Sequence, residues 1–192
     1  MPLIIVYIIL IFFVVFSFLA LLVFSSIAWG LIATKGVPFI STPRADWLKL
    51  CEAAELKPGQ VVYDLGCGKA NLLTTAAKNF GIRGVGYEIS LWPNIWGRFR
   101  VWRRQADVEI RLKNFLKADI SRADVVFCYL FPEVMAQLEP KFKSELKPGA
   151  KVVSYAFTLP NIKPAKVVSS TQKYSFWTKK PLHTSDINIY QF

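Results

Sequence analysis

The sequence predicts a doubly wound α/β domain, its sheet mostly parallel with an antiparallel edge strand, carried behind one N-terminal transmembrane helix. Three observations predict it. From residue 42 to 157, short β-branched or aromatic runs alternate with helix-length segments, the order that builds a parallel sheet covered by helices. The first such run, Val61-Val62-Tyr63-Asp64-Leu65, turns through Gly66-Cys67-Gly68 and enters a helical segment. Strand, glycine turn and helix form the ligand-binding unit of that architecture, with the ligand at the strand's carboxyl end. Ahead of all this, Met1 to Thr34 contains no Asp, Glu, Lys, Arg or His.

That uncharged segment divides the chain into residues 1–34, an anchor, and residues 35–192, a folded domain. Ile4 to Phe24 is almost wholly Ile, Leu, Val and Phe, and a helix of roughly 20 such residues crosses a bilayer. A cleaved signal peptide carries a basic start and a shorter apolar core of about 7–15 residues, so a retained anchor is the better reading. The formal charge of +11 therefore falls entirely on the domain. Lys35, Arg44 and Lys49 follow the anchor and no charged side chain precedes it. The positive-inside rule puts the domain on the cytoplasmic side. The basic balance suits a domain beside anionic lipid head groups. A nucleic-acid partner is not favoured, since neither a basic recognition helix nor an RNA-binding aromatic pair is visible.

Past an extended linker at 36–40, Thr42-Pro43 reads as the cap and first position of a helix running to Leu56. That helix is expected to bury Trp47, Leu48, Cys51 and Ala54, and Lys57-Pro58-Gly59 ends it. The first strand and its glycine turn follow. A helix from Asn71 to Phe80 stops at Gly81, and Gly84-Val85-Gly86-Tyr87-Glu88 forms a second strand. In the next helix Trp92, Ile95, Trp96, Phe99 and Trp102 make one apolar stripe. Helical stripes ordinarily face a core; a stripe of Trp with Arg nearby also suits the head-group layer of a membrane. Val108 to Leu112 alternates as a third strand, and Val125 to Leu130 is the continuous apolar run of a central strand buried on both faces. A helix over 134–146, a strand over 151–157 and two tail strands, 165–169 and 187–190, complete the chain. Three widely spaced cysteines and a single histidine support neither a disulfide framework nor a metal site.

A glycine turn of this kind serves dinucleotides and methyl donors alike. The dinucleotide fingerprint Gly-x-Gly-x-x-Gly fails here, because Asn71 stands at its third glycine. Asp64-Leu65-Gly66-Cys67-Gly68 instead resembles motif I of the class I, seven-strand S-adenosylmethionine-dependent methyltransferases, which are Rossmann-like, with Glu88 at that family's ribose-binding acid. The motif departs at Ala70, usually glycine or a short acid. The N-terminal anchor, the Val37-Pro38-Phe39 linker, Thr42-Pro43, Gly86-Tyr87-Glu88 and Phe131-Pro132-Glu133-Val134-Met135 extend the likeness. Together they resemble the membrane-anchored lysine methyltransferases of adenine nucleotide translocase and of the ATP synthase c-subunit.

The resemblance implies S-adenosyl-L-methionine as cofactor and a membrane-associated protein substrate. Asp64, Gly66, Cys67 and Gly68 would frame the methionine end, Asp64 meeting its ammonium. Glu88 would accept from both ribose hydroxyls. Asn114, with Asp119 as competitor, would read the adenine edge. Glu133, after Pro132, would orient or deprotonate the attacking amine, while Tyr129 and Phe131 wall its channel and favour a cation. A plain helix start also accounts for Pro132 and Glu133. Two alternatives stay open: a lipid or small-molecule acceptor, and a tethered module without catalysis.

Overall fold

The structure is a computed structural model that describes residues 2–33, 40–170 and 186–192. The apolar N-terminal segment is one helix, α1 (Pro2–Ala33). Its side chains from Leu3 to Phe24 are exposed. The window Leu3–Ser25 spans 23 residues, about 35 Å at 1.5 Å per residue, against a hydrocarbon layer of about 30 Å. No part of that window is covered by the rest of the chain.

The domain is a seven-stranded sheet in the order β3-β2-β1-β4-β5-β7-β6. Its strands are β1 (Val61–Leu65), β2 (Arg83–Glu88), β3 (Val108–Leu112), β4 (Val125–Cys128), β5 (Lys151–Tyr155), β6 (Lys166–Ser169) and β7 (Asp186–Gln191). The first five run parallel, and β7 pairs antiparallel with both β5 and β6. The expected antiparallel edge is thus present. The chain order reverses between β1 and β4, where one connection leads to β2 and the other arrives from β3. Ligands of open parallel sheets sit at such a switch point.

Alternation along the strands divides two cores. Val62, Val125, Phe127, Val153 and Tyr155 face one side, packed with Leu50, Leu73 and Ala76 from α2 (Trp47–Ala53) and α3 (Asn71–Phe80). Tyr63, Leu65, Val126, Cys128 and Val152 face the other, against Met135, Leu138 and Phe142 of α5 (Pro132–Glu145). Every residue of β4 is buried, as its unbroken apolar run requires.

Two helices differ from the expectation. The segment over 42–56 enters through a 3-10 turn at Arg44–Asp46, and no side chain caps it. It ends early because Glu55 takes a left-handed conformation at φ 56. There Leu56 N–H donates to Cys51 and Glu55 N–H to Glu52, the paired bonds of a Schellman stop. Leu48 is exposed and Leu50 is buried in its place, while Cys51 and Ala54 are buried as expected.

The larger correction concerns α4 (Leu91–Arg104). Its expected core stripe faces outward: Trp92, Ile95, Trp96, Phe99 and Trp102 are all exposed, Trp102 to 72%. The packed face is instead Asn94, Gly97 and half-buried Val101. Small and polar residues lie inward because this helix rests on the glycine turn, where there is no room for a ring. A Cβ added at Gly97 would stand 3.2 Å from the Gly68 carbonyl oxygen.

Candidate functional site

At the carboxyl end of β1 the backbone leaves the sheet through Gly66 and Gly68, at φ +88 and +54. Both values are left-handed and strain any residue with a Cβ. Gly66 N–H and Cys67 N–H both donate to the Tyr87 carbonyl, at 2.9 and 3.0 Å, tying the turn to β2. Ala70, at φ 54, holds the last left-handed position before α3 and is fully buried. Ala70 thus pays for a left-handed geometry in strain, on the order of 1 kcal/mol.

Glu88 clamps this turn. One of its carboxylate oxygens accepts from Gly68 N–H at 2.9 Å and the other from Ser90 N–H at 2.7 Å. The acid therefore bridges the glycine turn and the start of α4. Each oxygen retains acceptor capacity for a ribose hydroxyl.

Asp64 lies one residue before the end of β1 and is buried. Loss of solvent, then the nearby Glu88 charge, push its carboxyl up to about 7. The Glu88 charge thus reaches the Asp64 carboxyl. Burial also pushes the Cys67 thiol up, with Asp64 and Glu88 adding to it. The Cys67 side chain fills the gap left by Gly86: a Cβ there would fall 2.5 Å from its Sγ. The turn is therefore closed beneath by Cys67 and open above.

A cleft of about 570 Å³, counting space open to solvent, extends from this turn. Asp64, Gly66, Cys67, Gly68 and Tyr129 line it, with Trp47 and Tyr155. Tyr129 meets Tyr155 edge-on at 4.9 Å and stacks with Phe157 at 6.1 Å, while Phe131 lies 5.5 Å from Phe157. Tyr155 O–H donates to Asp46 at 2.7 Å, fixing this wall to the entry of α2.

The remaining expected residues, like Glu88 and Phe131, are not among those lining this cleft. Asn114 accepts from Leu116 N–H at 2.9 Å through its side-chain oxygen and caps a short turn after β3. Asp119 is exposed and accepts from Ser121 N–H, which holds its carboxyl below the usual range. Pro132 and Glu133 form the exposed first turn of α5, and neither is among the residues lining the cleft. Sequence reasoning gave no site role to Gly86, Gly97, Arg100, Tyr155 or Phe157. Arg100 donates to the Lys69 carbonyl at 3.0 Å and so props the turn from α4. Glycines inside a strand and a helix were the available signal for the first two.

Backbone curvature, a buried acid and a clamped acid fit an amino-acid nucleoside. Its carboxylate would lie along the turn, its ammonium at Asp64 and its ribose at Glu88. No cluster of His, Cys, Asp and Glu suited to a metal occurs among the described residues.

A family model described as the ANTKMT methyltransferase domain matches residues 64–166. The chain is 35% identical over 142 residues to a protein-lysine N-methyltransferase of Saccharolobus islandicus, covering 69% of this chain and 84% of that protein. It is 35% identical over 103 residues to an ATP synthase C-subunit lysine N-methyltransferase of Xenopus laevis, covering 53% of this chain and 45% of the relative. This chain thus spans less than half of that second protein. Among solved structures, an RNA methyltransferase from Salinibacter ruber in complex with S-adenosyl-L-homocysteine aligns with a TM-score of 0.70 and 30% identity. That alignment covers 79% of this chain and 93% of the other.

Proposed function

The chain belongs to the ANTKMT methyltransferase domain family and is an S-adenosylmethionine-dependent methyltransferase; from this premise we propose that it methylates a lysine side chain of a membrane protein while held to the same membrane by α1. One observation carries the acceptor class: Tyr129 and Tyr155 line the cleft together with Asp64, and Phe157 and Phe131 extend this ring cluster beyond it. Aromatic faces attract an alkylammonium and tolerate its methylated products. Relatives named for the ATP synthase C-subunit and adenine nucleotide translocase support a membrane-protein substrate. The anchor raises the effective concentration of an acceptor confined to the same bilayer. The basic residues that follow α1, with none before it, support a cytoplasmic-side domain.

When bound, S-adenosylmethionine supplies an electrophilic methyl on a sulfonium. The chain's own contribution is alignment, the largest help available to an in-line displacement. Asp64 fixes the amino-acid end of the donor, Glu88 the ribose and the turn itself, and Asn114 the base. Tyr129 and Phe131 confine the lysine chain. Glu133, at the start of α5, orients the incoming amine or takes its proton.

A nucleic-acid acceptor is the second reading, favoured by the likeness to a structure titled an RNA methyltransferase and by the +11 charge. One experiment separates the two. The full chain is incubated with isotopically labelled donor and either native membranes or total RNA. Label on lysine in a membrane polypeptide, located by mass spectrometry, supports the proposal. Label only in RNA, or only in extracted lipid, overturns it.

A further inference from the structure

The outward face of α4 has no role in holding the domain together. Trp92, Ile95, Trp96, Phe99 and Trp102 cover it without a break, and Phe99 lies 6.1 Å from Trp96 and 5.7 Å from Trp102, ring to ring. The helix also carries Arg98, Arg100, Arg103 and Arg104 and no acid. A single exposed apolar residue needs no explanation, but a contiguous patch of this size does.

Two further observations bear on what covers it. The anchor helix α1, exposed along its apolar length, comes into contact with α4 and with no other helix to the same degree. A bilayer holding α1 therefore has its boundary near this patch. The chemistry also matches that boundary. Tryptophan rings favour the head-group region, and arginines beside them reach lipid phosphates while their stems stay in the apolar layer.

We propose that α4 lies in the membrane–water interface, its five apolar residues sunk among the lipid glycerols and Arg103 and Arg104 on anionic head groups, while Arg98 and Arg100 hold the Ile110 and Lys69 carbonyls. The inference rests on the reading of α1 as a membrane span. It has a consequence for the site, because the opposite face of α4 carries the glycine turn through Gly97 and Arg100. The donor cleft is then fixed against the membrane surface at a set height, where a lysine just outside the bilayer reaches it.

Site-directed spin labelling of the full chain tests this in vesicles of phosphatidylcholine and phosphatidylglycerol. The native cysteines are buried, so labels go to Phe99→Cys on the patch, Phe13→Cys in α1 and Lys57→Cys at the far end of the sheet. All three positions are exposed and tolerate a label. Collision with oxygen, which concentrates in lipid, is compared with collision with a water-soluble nickel complex. The expected result is oxygen favoured several-fold at positions 99 and 13, with nickel favoured at 57. Oxygen favoured at 13 but nickel at 99 overturns the docking of α4 and leaves the anchor standing. Nickel favoured at both overturns the two together. Low access to either agent at 99, with dipolar broadening between labels, assigns the patch to a second copy of the chain and also overturns the proposal.

Discussion

Asp64 and Glu88 are both buried near the carboxyl ends of neighbouring parallel strands, and the Asp64 carboxyl is pushed up to about 7, first by loss of solvent and then by the Glu88 charge. Glu88 is held charged-side inward by two backbone N–H groups, so it cannot turn away. A cation held beside Asp64 favours its charged form.

The pH dependence of donor binding follows from that raised value. In the free protein Asp64 takes a proton near pH 7, whereas the ammonium of a bound amino acid favours its charged form. Affinity for S-adenosylhomocysteine should rise as pH approaches about 7 from below, then level off. Below that pH binding should release a proton, detected by calorimetry in buffers of different ionisation enthalpy. The stability of the free protein runs the other way. The folded-state value lies above the ordinary 3.8, so the stabilising contribution is complete below 3.8 and lost as pH rises through about 7. Asp64→Asn should remove that loss, read as a higher melting temperature than the parent's at pH 8 or so.

Glu88→Gln replaces an acceptor of two N–H bonds by a group with only one acceptor atom. One backbone N–H is then faced by an amide N–H, a cost of about 1–3 kcal/mol. The melting temperature should drop, and donor affinity with it. A variant as stable as the parent would show that the clamp on Gly68 does not hold the turn.

Ala70→Gly removes a left-handed alanine. The relief of about 1–2 kcal/mol is partly offset by the greater freedom of glycine in the unfolded chain. Denaturant unfolding should show a small gain or no loss. A clear loss would mean that the buried methyl group contributes more by packing than the backbone conformation costs.

Much of this was legible in the sequence. Alternation in Val61 to Leu65, the continuous run at Val125 and the glycine spacing gave the strands, their order of burial and the acid pair, because each depends on local pattern. The orientation of α4 was not legible. A helical stripe says that one face is apolar, not whether protein or lipid covers it, and the deciding residue was Gly97, whose close approach to Gly68 spans distant parts of the chain. Leu48 was misread for a simpler reason: at helical spacing Leu50 sits beside Cys51 and Ala54 on the buried face as well as Leu48 would, and local pattern does not choose between them. The Tyr155–Asp46 bond joins residues 109 positions apart, and no local pattern reports it.

Glu133→Ala addresses the acceptor side alone. The residue is exposed at the start of α5, so folding and donor affinity should be unchanged. If Glu133 orients or deprotonates the amine, turnover should fall by about a hundredfold or more. Unchanged turnover would remove it from the mechanism.

The central claim, that the acid pair beside the glycine turn grips the methyl donor, is tested most directly by calorimetric titration of the full chain with S-adenosylhomocysteine, parent beside Asp64→Asn. A charge-assisted bond of about 1.5–3 kcal/mol predicts saturable one-to-one binding weakened about ten- to a hundredfold in the variant. Equal affinity in both proteins, or no binding to the parent, would contradict it.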